Sequence, residues 1–229
     1  MSNFPRFRII TFDCYGTLIN WEPGILRSLR PILTAHGAHL SDAEILRLYG
    51  ELESEAEAGE YRSYREVLRE VVRQFGERLG FRTTPTEQDS LPESMQKWKP
   101  FPDTLVALAC LKSKLQVGII SNVDDDLFAA TARKLKTDFD VVVTAAQARA
   151  YKPAKEIFAL AEKKIGVPRE QWLHAGQSTY HDIIPARALG IATAWVNRPS
   201  VRPNIGAARK ATSKPDFEVH SLAELAEMA

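Results

Sequence analysis

The spacing of short, apolar, β-branched runs constrains this chain more than any other feature. Arg8-Ile9-Ile10-Thr11-Phe12 reads as a buried strand and ends at Asp13-Cys14-Tyr15-Gly16-Thr17, where Gly16 permits a sharp turn. Gln116 to Ile120, Asp140 to Val143, Trp172 to Ala175 and Ala192 to Val196 repeat the strand pattern. Helical stretches separate these runs: Leu105, Leu108 and Leu111; Leu127 to Leu135; Ile157, Leu160, Ala161 and Ile165; Pro185 to Leu189; and a terminal helix from Ser221 to Met228. Strands alternating with helices predict a doubly wound α/β fold, a parallel sheet with helices on both faces.

One block breaks the rhythm. From Trp21 to about Lys99 charged residues are dense, no strand signal appears, and apolar residues recur at helical spacing. Ile25, Leu29 and Leu33 form one stripe. Ile45, Leu48 and Leu52 form a second after Ser41-Asp42, an N-cap signal. Val67, Val71, Phe75 and Leu79 form a third. This block reads as a helical cap, residues 18–99, inserted into a core made of residues 1–17 and 100–229. Glu51, Glu53, Glu55 and Glu57 read as a solvated helix face, and Arg198 to Pro215 as a solvated loop. Trp98, Trp172 and Trp195 read as packing, whereas Trp21, beside the Asp13 loop, is placed to touch a substrate.

Composition serves mainly to exclude. A net charge of +1 gives no basic excess for nucleic acid or an acidic membrane. No apolar run approaches the roughly 20 residues that span a bilayer. Met1 to Arg8 lacks the basic and apolar regions of a signal peptide. Two cysteines, Cys14 and Cys110, make no disulfide scaffold and fit a reducing compartment. The expectation is a cytoplasmic, water-soluble protein.

In open α/β sheets ligands bind outside the carboxyl ends of the strands. The polar residues expected there are Asp13 and Thr17, Ser121 and Asn122, then Gln177, Ser178, Thr179 and Asp182, with Lys152 between them in the chain. A carboxylate in such a place can attack an electrophile and form an ester that water hydrolyses. An adjacent ammonium keeps the carboxylate ionised and stabilises developing negative charge. Cys14 reads as a small buried residue. His181 reads as a hydrogen-bonding support, since no Cys or His cluster surrounds it.

The order Phe12-Asp13-Cys14-Tyr15-Gly16-Thr17-Leu18, Ile119-Ile120-Ser121-Asn122, Tyr151-Lys152-Pro153, Ser178-Thr179-Tyr180-His181-Asp182 resembles the haloacid dehalogenase superfamily, over nearly the whole chain and including the cap position. The resemblance implies Asp13 as nucleophile, Lys152 as essential cation, and Asp182 as support for Lys152 and the hydrolytic water. It implies Ser121 on the substrate's acidic group or the attacked oxygen, with Tyr15, Thr17, Trp21, Asn122, Ser178 and Thr179 around the substrate. Phosphatases of this superfamily carry a second Asp, a general acid, where this chain has Tyr15. A departing halide needs no proton, so Tyr15 looks like the dehalogenase branch. Phosphatases also place a magnesium-binding Asp where Gln177 stands. The expectation is therefore no metal and no cofactor, magnesium entering only if the chain were a phosphatase.

The activity implied is that of an (S)-2-haloacid dehalogenase, hydrolysing a small 2-substituted carboxylic acid. Two departures stand out: Gly50 occupies the position of a halide-receiving cap Arg, and Thr179 that of an Asn. Tyr49-Gly50-Glu51-Leu52-Glu53-Ser54, with Trp21-Glu22, looks like a relative that opens the ring of azetidine-2-carboxylate at a C–N bond, where Glu53 or Glu22 relates to the amine leaving group. That reaction, a magnesium-dependent small-molecule phosphatase, and a non-enzymatic binding module are the alternatives. The expected partner is a small carboxylic acid, with a homodimer through cap helices left open.

Overall fold

The computed structural model describes residues 4–229, the side chain of Pro5 excepted; Met1 to Asn3, part of the N-terminal stretch read above, lie outside the described residues. In chain order the elements are β1 (Ile9–Phe12), β2 (Ile19–Asn20), α1 (Glu22–Ala35), α2 (Asp42–Ala56), α3 (Tyr64–Leu79), α4 (Pro85–Gln88), α5 (Ser90–Ser94) and β3 (Lys99–Pro100). Then follow α6 (Thr104–Lys112), β4 (Gln116–Ser121), α7 (Asp125–Leu135), β5 (Val141–Thr144), α8 (Ala145–Ala148), α9 (Lys155–Ile165) and β6 (Trp172–Gly176). The chain closes with α10 (Ile184–Ala188), β7 (Ala192–Val196), β8 (Phe217–Val219) and α11 (Leu222–Met228).

Six strands form one parallel sheet in the order β5-β4-β1-β6-β7-β8. Side chains alternate across it, as strand geometry requires. From β1, Ile10 and Phe12 enter one core with α6, α7 and α11, while Ile9 enters a second with Ile157, Phe158 and Ala161 of α9 and Ala186 of α10. This is the expected doubly wound fold. The first core continues without a break into Ile25, Leu29, Tyr49, Leu52, Val67 and Val71 of the helical block, so the two parts share one apolar interior.

The helices α1 to α5 fill the stretch between β2 and β3, which pair antiparallel into a two-stranded ribbon, Ile19 opposite Pro100. That ribbon was not read from the sequence; at two residues a strand it carries no periodicity. Capping boxes set the phase of the helices: Ser41 with Glu44, Ser63 with Glu66 and Thr84 with Glu87. Three hydrogen bonds tie the start of α3 and the turn before it to the core. The Asp124 carboxylate accepts from the Tyr64 and Arg65 amides at 2.8 and 3.0 Å, and the Tyr151 hydroxyl donates to the Arg62 carbonyl at 2.8 Å.

The reading of Arg198 to Pro215 as a solvated loop holds for much of the segment, with Arg209, Lys210, Thr212 and Lys214 exposed, and is corrected at Arg198, Arg202, Ala207 and Ala208. Arg198 is buried, its guanidinium donating to both Asp103 oxygens and to the Thr17 carbonyl. Ala207 and Ala208 are buried against α2, and Arg202 donates to the carbonyls of Leu46 and Gly206. β8, which follows this segment, also escaped the sequence reading. Among the described residues no helix is long and apolar enough to cross a membrane.

Candidate active site

The carboxyl ends of β1, β4 and β6 meet at one point because β1 lies between the other two, with Phe12 level with Ile119 and Ala175. Asp13 follows directly, its amide donating to the Ala175 carbonyl at 2.9 Å. Its carboxylate is held at both oxygens: Lys152 Nζ donates to Oδ1 at 2.9 Å, and Thr17 Oγ1 donates to Oδ2 at 2.9 Å. Lys152 is 1% exposed and spends its other ammonium protons on the Ile120 carbonyl at 2.9 Å and Asp182 Oδ1 at 2.6 Å. Asn122 fixes the lysine's backbone with a two-bond clasp, Oδ1 accepting from the Lys152 amide and Nδ2 donating to its carbonyl.

Asp182 arrives from a π-helical turn, Thr179–Ile183, which packs so closely on β6 that a Cβ at Gly176 would lie 2.4 Å from the Asp182 carboxyl carbon. A buried chain of hydrogen bonds backs it. The Trp172 indole, which only donates, bonds Thr11 Oγ1 at 2.7 Å; Thr11 bonds His174 Nδ1 at 2.9 Å; His174 Nε2 bonds Asp182 Oδ1 at 3.1 Å. The ionised Asp182 carboxylate only accepts, so His174 Nε2 carries a proton facing it. Burial opposes ionisation of Asp182, but Lys152 and His174 outweigh it and hold the carboxyl at about 2. Burial raises Asp13 above its ordinary value, against the pull of Lys152. Burial also works against the Lys152 charge, yet Asp13 and Asp182 keep it above the ordinary lysine value.

These residues floor a cavity of about 30 Å³, lined also by Tyr15, Trp21, Glu53, Tyr64, Ser121 and Gln177 among others. Three buried atoms of its lining residues have no hydrogen-bond partner among the described residues: Ser121 Oγ, His181 Nε2 and Asp182 Oδ2. Buried polar atoms are otherwise almost always paired, so these mark where a bound molecule and water would be received. Burial lowers His181 to about 4, which makes it a neutral side chain.

Of the substrate-contact residues expected from sequence, Tyr15, Trp21, Ser121, Asn122 and Ser178 line the cavity. Two do not. Thr17 is fully buried beneath it, bonding Asp13 and accepting the Gln177 amide, so it orients the carboxylate. Thr179 donates to the Ala211 carbonyl and anchors the 198–215 segment instead. The Tyr15 hydroxyl is engaged with Thr131 of α7. Gln177 donates through Nε2 to the Ile205 carbonyl. Among the described residues no group of three or more His, Cys, Asp or Glu side chains is arranged to hold a metal ion.

The largest correction concerns α2. Glu55 is exposed as expected, but Glu53 is 3% exposed and, with the side chain of Glu57 also buried, faces the cavity. The hydroxyls of Tyr49 and Tyr64 both donate to Glu53 Oε1, at 2.8 and 2.5 Å, and Asn122 Nδ2 donates to Glu57. Burial pushes Glu53 up to about 7, and Glu57 well above the usual carboxylate range. One turn before Glu53 lies Gly50, where a Cβ would come within 2.6 Å of the Ala207 carbonyl oxygen and 2.8 Å of Ala208 backbone atoms. The 198–215 segment thus occupies the space that any side chain at position 50 would need.

A family model for haloacid dehalogenase-like hydrolases matches residues 7–190. An (S)-2-haloacid dehalogenase of Pseudomonas fluorescens is 27% identical over 222 residues, 93% of this chain and 92% of that one. The structure of the L-2-haloacid dehalogenase from Xanthobacter autotrophicus superposes with a TM-score of 0.80 at 22% identity, covering 97% of this chain and 98% of that chain. The same enzyme with chloropropionic acid covalently bound gives 0.79 at 21% identity, over the same shares of the two chains. At these identities the superpositions speak for the fold. With the sequence match spanning sheet and cap alike, the chain belongs to the haloacid dehalogenase-like hydrolases.

Proposed function

We propose that this enzyme hydrolyses a small 2-substituted carboxylic acid by the (S)-2-haloacid dehalogenase route, through a covalent ester on Asp13. The observation that carries this reading is the Asp13 carboxylate, clamped by Lys152 and Thr17 at the floor of a cavity closed by the cap. In the first step an Asp13 oxygen attacks the carbon bearing the leaving group; the C–O bond forms as the bond to the leaving group breaks. Ser121, with an unpartnered Oγ, receives the substrate carboxylate. In the second step water adds to the Asp13 carboxyl carbon and releases the hydroxy acid. Asp182 Oδ2, also unpartnered, stands ready to orient that water, and Lys152 stabilises the oxyanion.

Tyr15 supports dehalogenation over phosphate transfer, since its hydroxyl is bound to Thr131 and a phenol buried there is pushed well above its ordinary value. Residues 18–99 act as the cap over a core of residues 1–17 and 100–229, excluding water during the first step.

The test is an activity panel with EDTA present: both enantiomers of 2-chloropropionate, chloroacetate and p-nitrophenyl phosphate. Halide release by wild type, abolished in Asp13→Asn, is the expected result. Magnesium-dependent release of nitrophenol with no halide from any substrate would refute it.

A further inference from the structure

The cavity receives its leaving group in an unusual setting. Among the described residues no cap cation lines it: position 50 is closed by the 198–215 segment, and the guanidiniums of Arg62 and Arg65 are spent on the Ala56 carbonyl and on Asp126. Lys152, the cation of the floor, has all its protons engaged. Glu53 and Glu57 share this cavity of about 30 Å³ with Asp13, and Glu53 lies near enough for the Asp13 charge to oppose its ionisation. Both tyrosine hydroxyls converge on its Oε1, and among the described residues Oε2 has no hydrogen-bond partner. A pair of phenols holding one oxygen fixes the rotamer and leaves the other oxygen for a ligand.

We propose that Glu53 is the leaving-group acid of this site, donating a proton from Oε2 to the departing atom as Asp13 attacks. The proposal rests on the Asp13 reading and adds the class of leaving group. A guanidinium suits a soft halide that leaves as a bare anion. A carboxylic acid suits an atom that leaves with a proton, which among halogens is fluoride and among other elements an amine nitrogen. The balance closes: the Asp13–carbon bond forms, the bond to the leaving atom breaks with its electron pair, and the leaving atom takes the Glu53 proton. When water later hydrolyses the ester, one of its protons completes the hydroxy acid and the other returns to Glu53. An amine that arrives as an ammonium opposite the Glu53 carboxylate carries the same proton in the same pair.

Burial keeps Glu53 protonated to about pH 7, as such an acid requires. The groups facing it are Tyr49 and Glu57 on its own helix, Tyr64 on α3, Asp13 after β1, Lys152, and His181 with Asp182 on the π-helical turn. His181 and Asp182 titrate at about 4 and 2, and burial raises both phenols well above their ordinary value, so the group that shares the neutral range with Glu53 is Glu57, raised by burial and by Glu53 itself.

Glu53→Gln is the informative variant, because its carbonyl oxygen still accepts both tyrosine bonds while its amide has no proton to transfer. Wild type and variant are compared on 2-chloropropionate, 2-fluoropropionate and azetidine-2-carboxylate, reading chloride, fluoride and ring-opened product. We expect kcat on the fluoro acid or the cyclic amine to fall by about a hundredfold or more in the variant, and by at least about tenfold more than chloride release falls. Which of the two substrates shows the loss identifies the natural leaving atom. An equal loss on all three, or no loss on any, overturns the proposal. A second measurement is independent of turnover. Fluoride ion titrated against the protein and followed by fluorine NMR binds wild type below pH 7 and loses affinity about tenfold or more above it, and this break is missing in the variant. Absence of the break in wild type overturns the Glu53 role, whereas a break without any ester on Asp13 overturns the nucleophile reading instead.

Discussion

On the floor of the cavity two carboxylates share one ammonium; on its roof two carboxylates share none. Asp13 and Asp182 contact Lys152 at 2.9 and 2.6 Å, and an imidazole backs the second of them. Glu53 and Glu57, also buried, are met among the described residues by neutral groups: two phenols, an amide and, 3.6 Å from Glu57, the His181 imidazole. The difference lies in ionisation. An unpaired charge in a dry site is too costly to persist, so a buried acid without a cation keeps its proton. The floor holds its charge, which a nucleophile needs. The roof holds a proton, which a leaving group uses.

The sharpest way to break this contrast is to remove the cation. Lys152→Met leaves Asp13 and Asp182 facing each other unpaired, and we expect a loss of about 3–5 kcal/mol in urea unfolding at pH 7. That loss should shrink as pH falls and the two carboxyls protonate. A loss under about 1 kcal/mol would mean that the floor is not held by its ion triad.

The roof should behave in the opposite sense. Glu53 is raised from 4.5 to about 7 in the folded protein. Its contribution to stability is therefore full below pH 4.5 and is lost as pH rises through about 7. Glu53→Gln removes that dependence. Relative to wild type the variant should gain with pH across this window, by up to roughly 3 kcal/mol, and stay level above it. Thermal unfolding from pH 4.5 to 8.5 checks this; parallel curves for the two proteins would show that Glu53 is ionised throughout.

A smaller effect is expected where roof and loop meet. Gly50→Ala puts a methyl group against the backbone of Ala207 and Ala208 and should cost about 1–3 kcal/mol, with faster proteolysis in 198–215. An unchanged midpoint would mean that the segment yields without resistance.

The same division separates what the sequence revealed from what it hid. Asp13, Ser121 and Asp182 sit where an apolar strand gives way to polar residues, a switch visible in the chain, and parallel topology brings such switches together. Lys152 became legible through its motif. Glu53 was hidden in a charge-rich helix, where only the packing of α2 against the core decides which glutamates meet water. Thr17 and Thr179 were correctly placed near the strand ends, but their hydrogen bonds turn one toward Asp13 from below and the other toward Ala211. Thr11 and His174 gave no signal at all: inside a strand they look like any alternating polar residue, and their role comes from the pairing of β1 with β6. Gly50 was noticed as a missing arginine, and the structure supplies the reason, a segment more than a hundred residues later that fills its place.

The central claim is that Asp13 is the atom donor in catalysis, and one experiment addresses it directly. Enzyme in excess over 2-chloropropionate is allowed a single turnover in heavy-oxygen water, then digested and weighed. The account predicts heavy oxygen in the peptide carrying Asp13 and ordinary oxygen in the released hydroxy acid, because water attacks the ester's carboxyl carbon. Heavy oxygen in the product, with none in Asp13, would mean that water attacks the substrate itself and would contradict it.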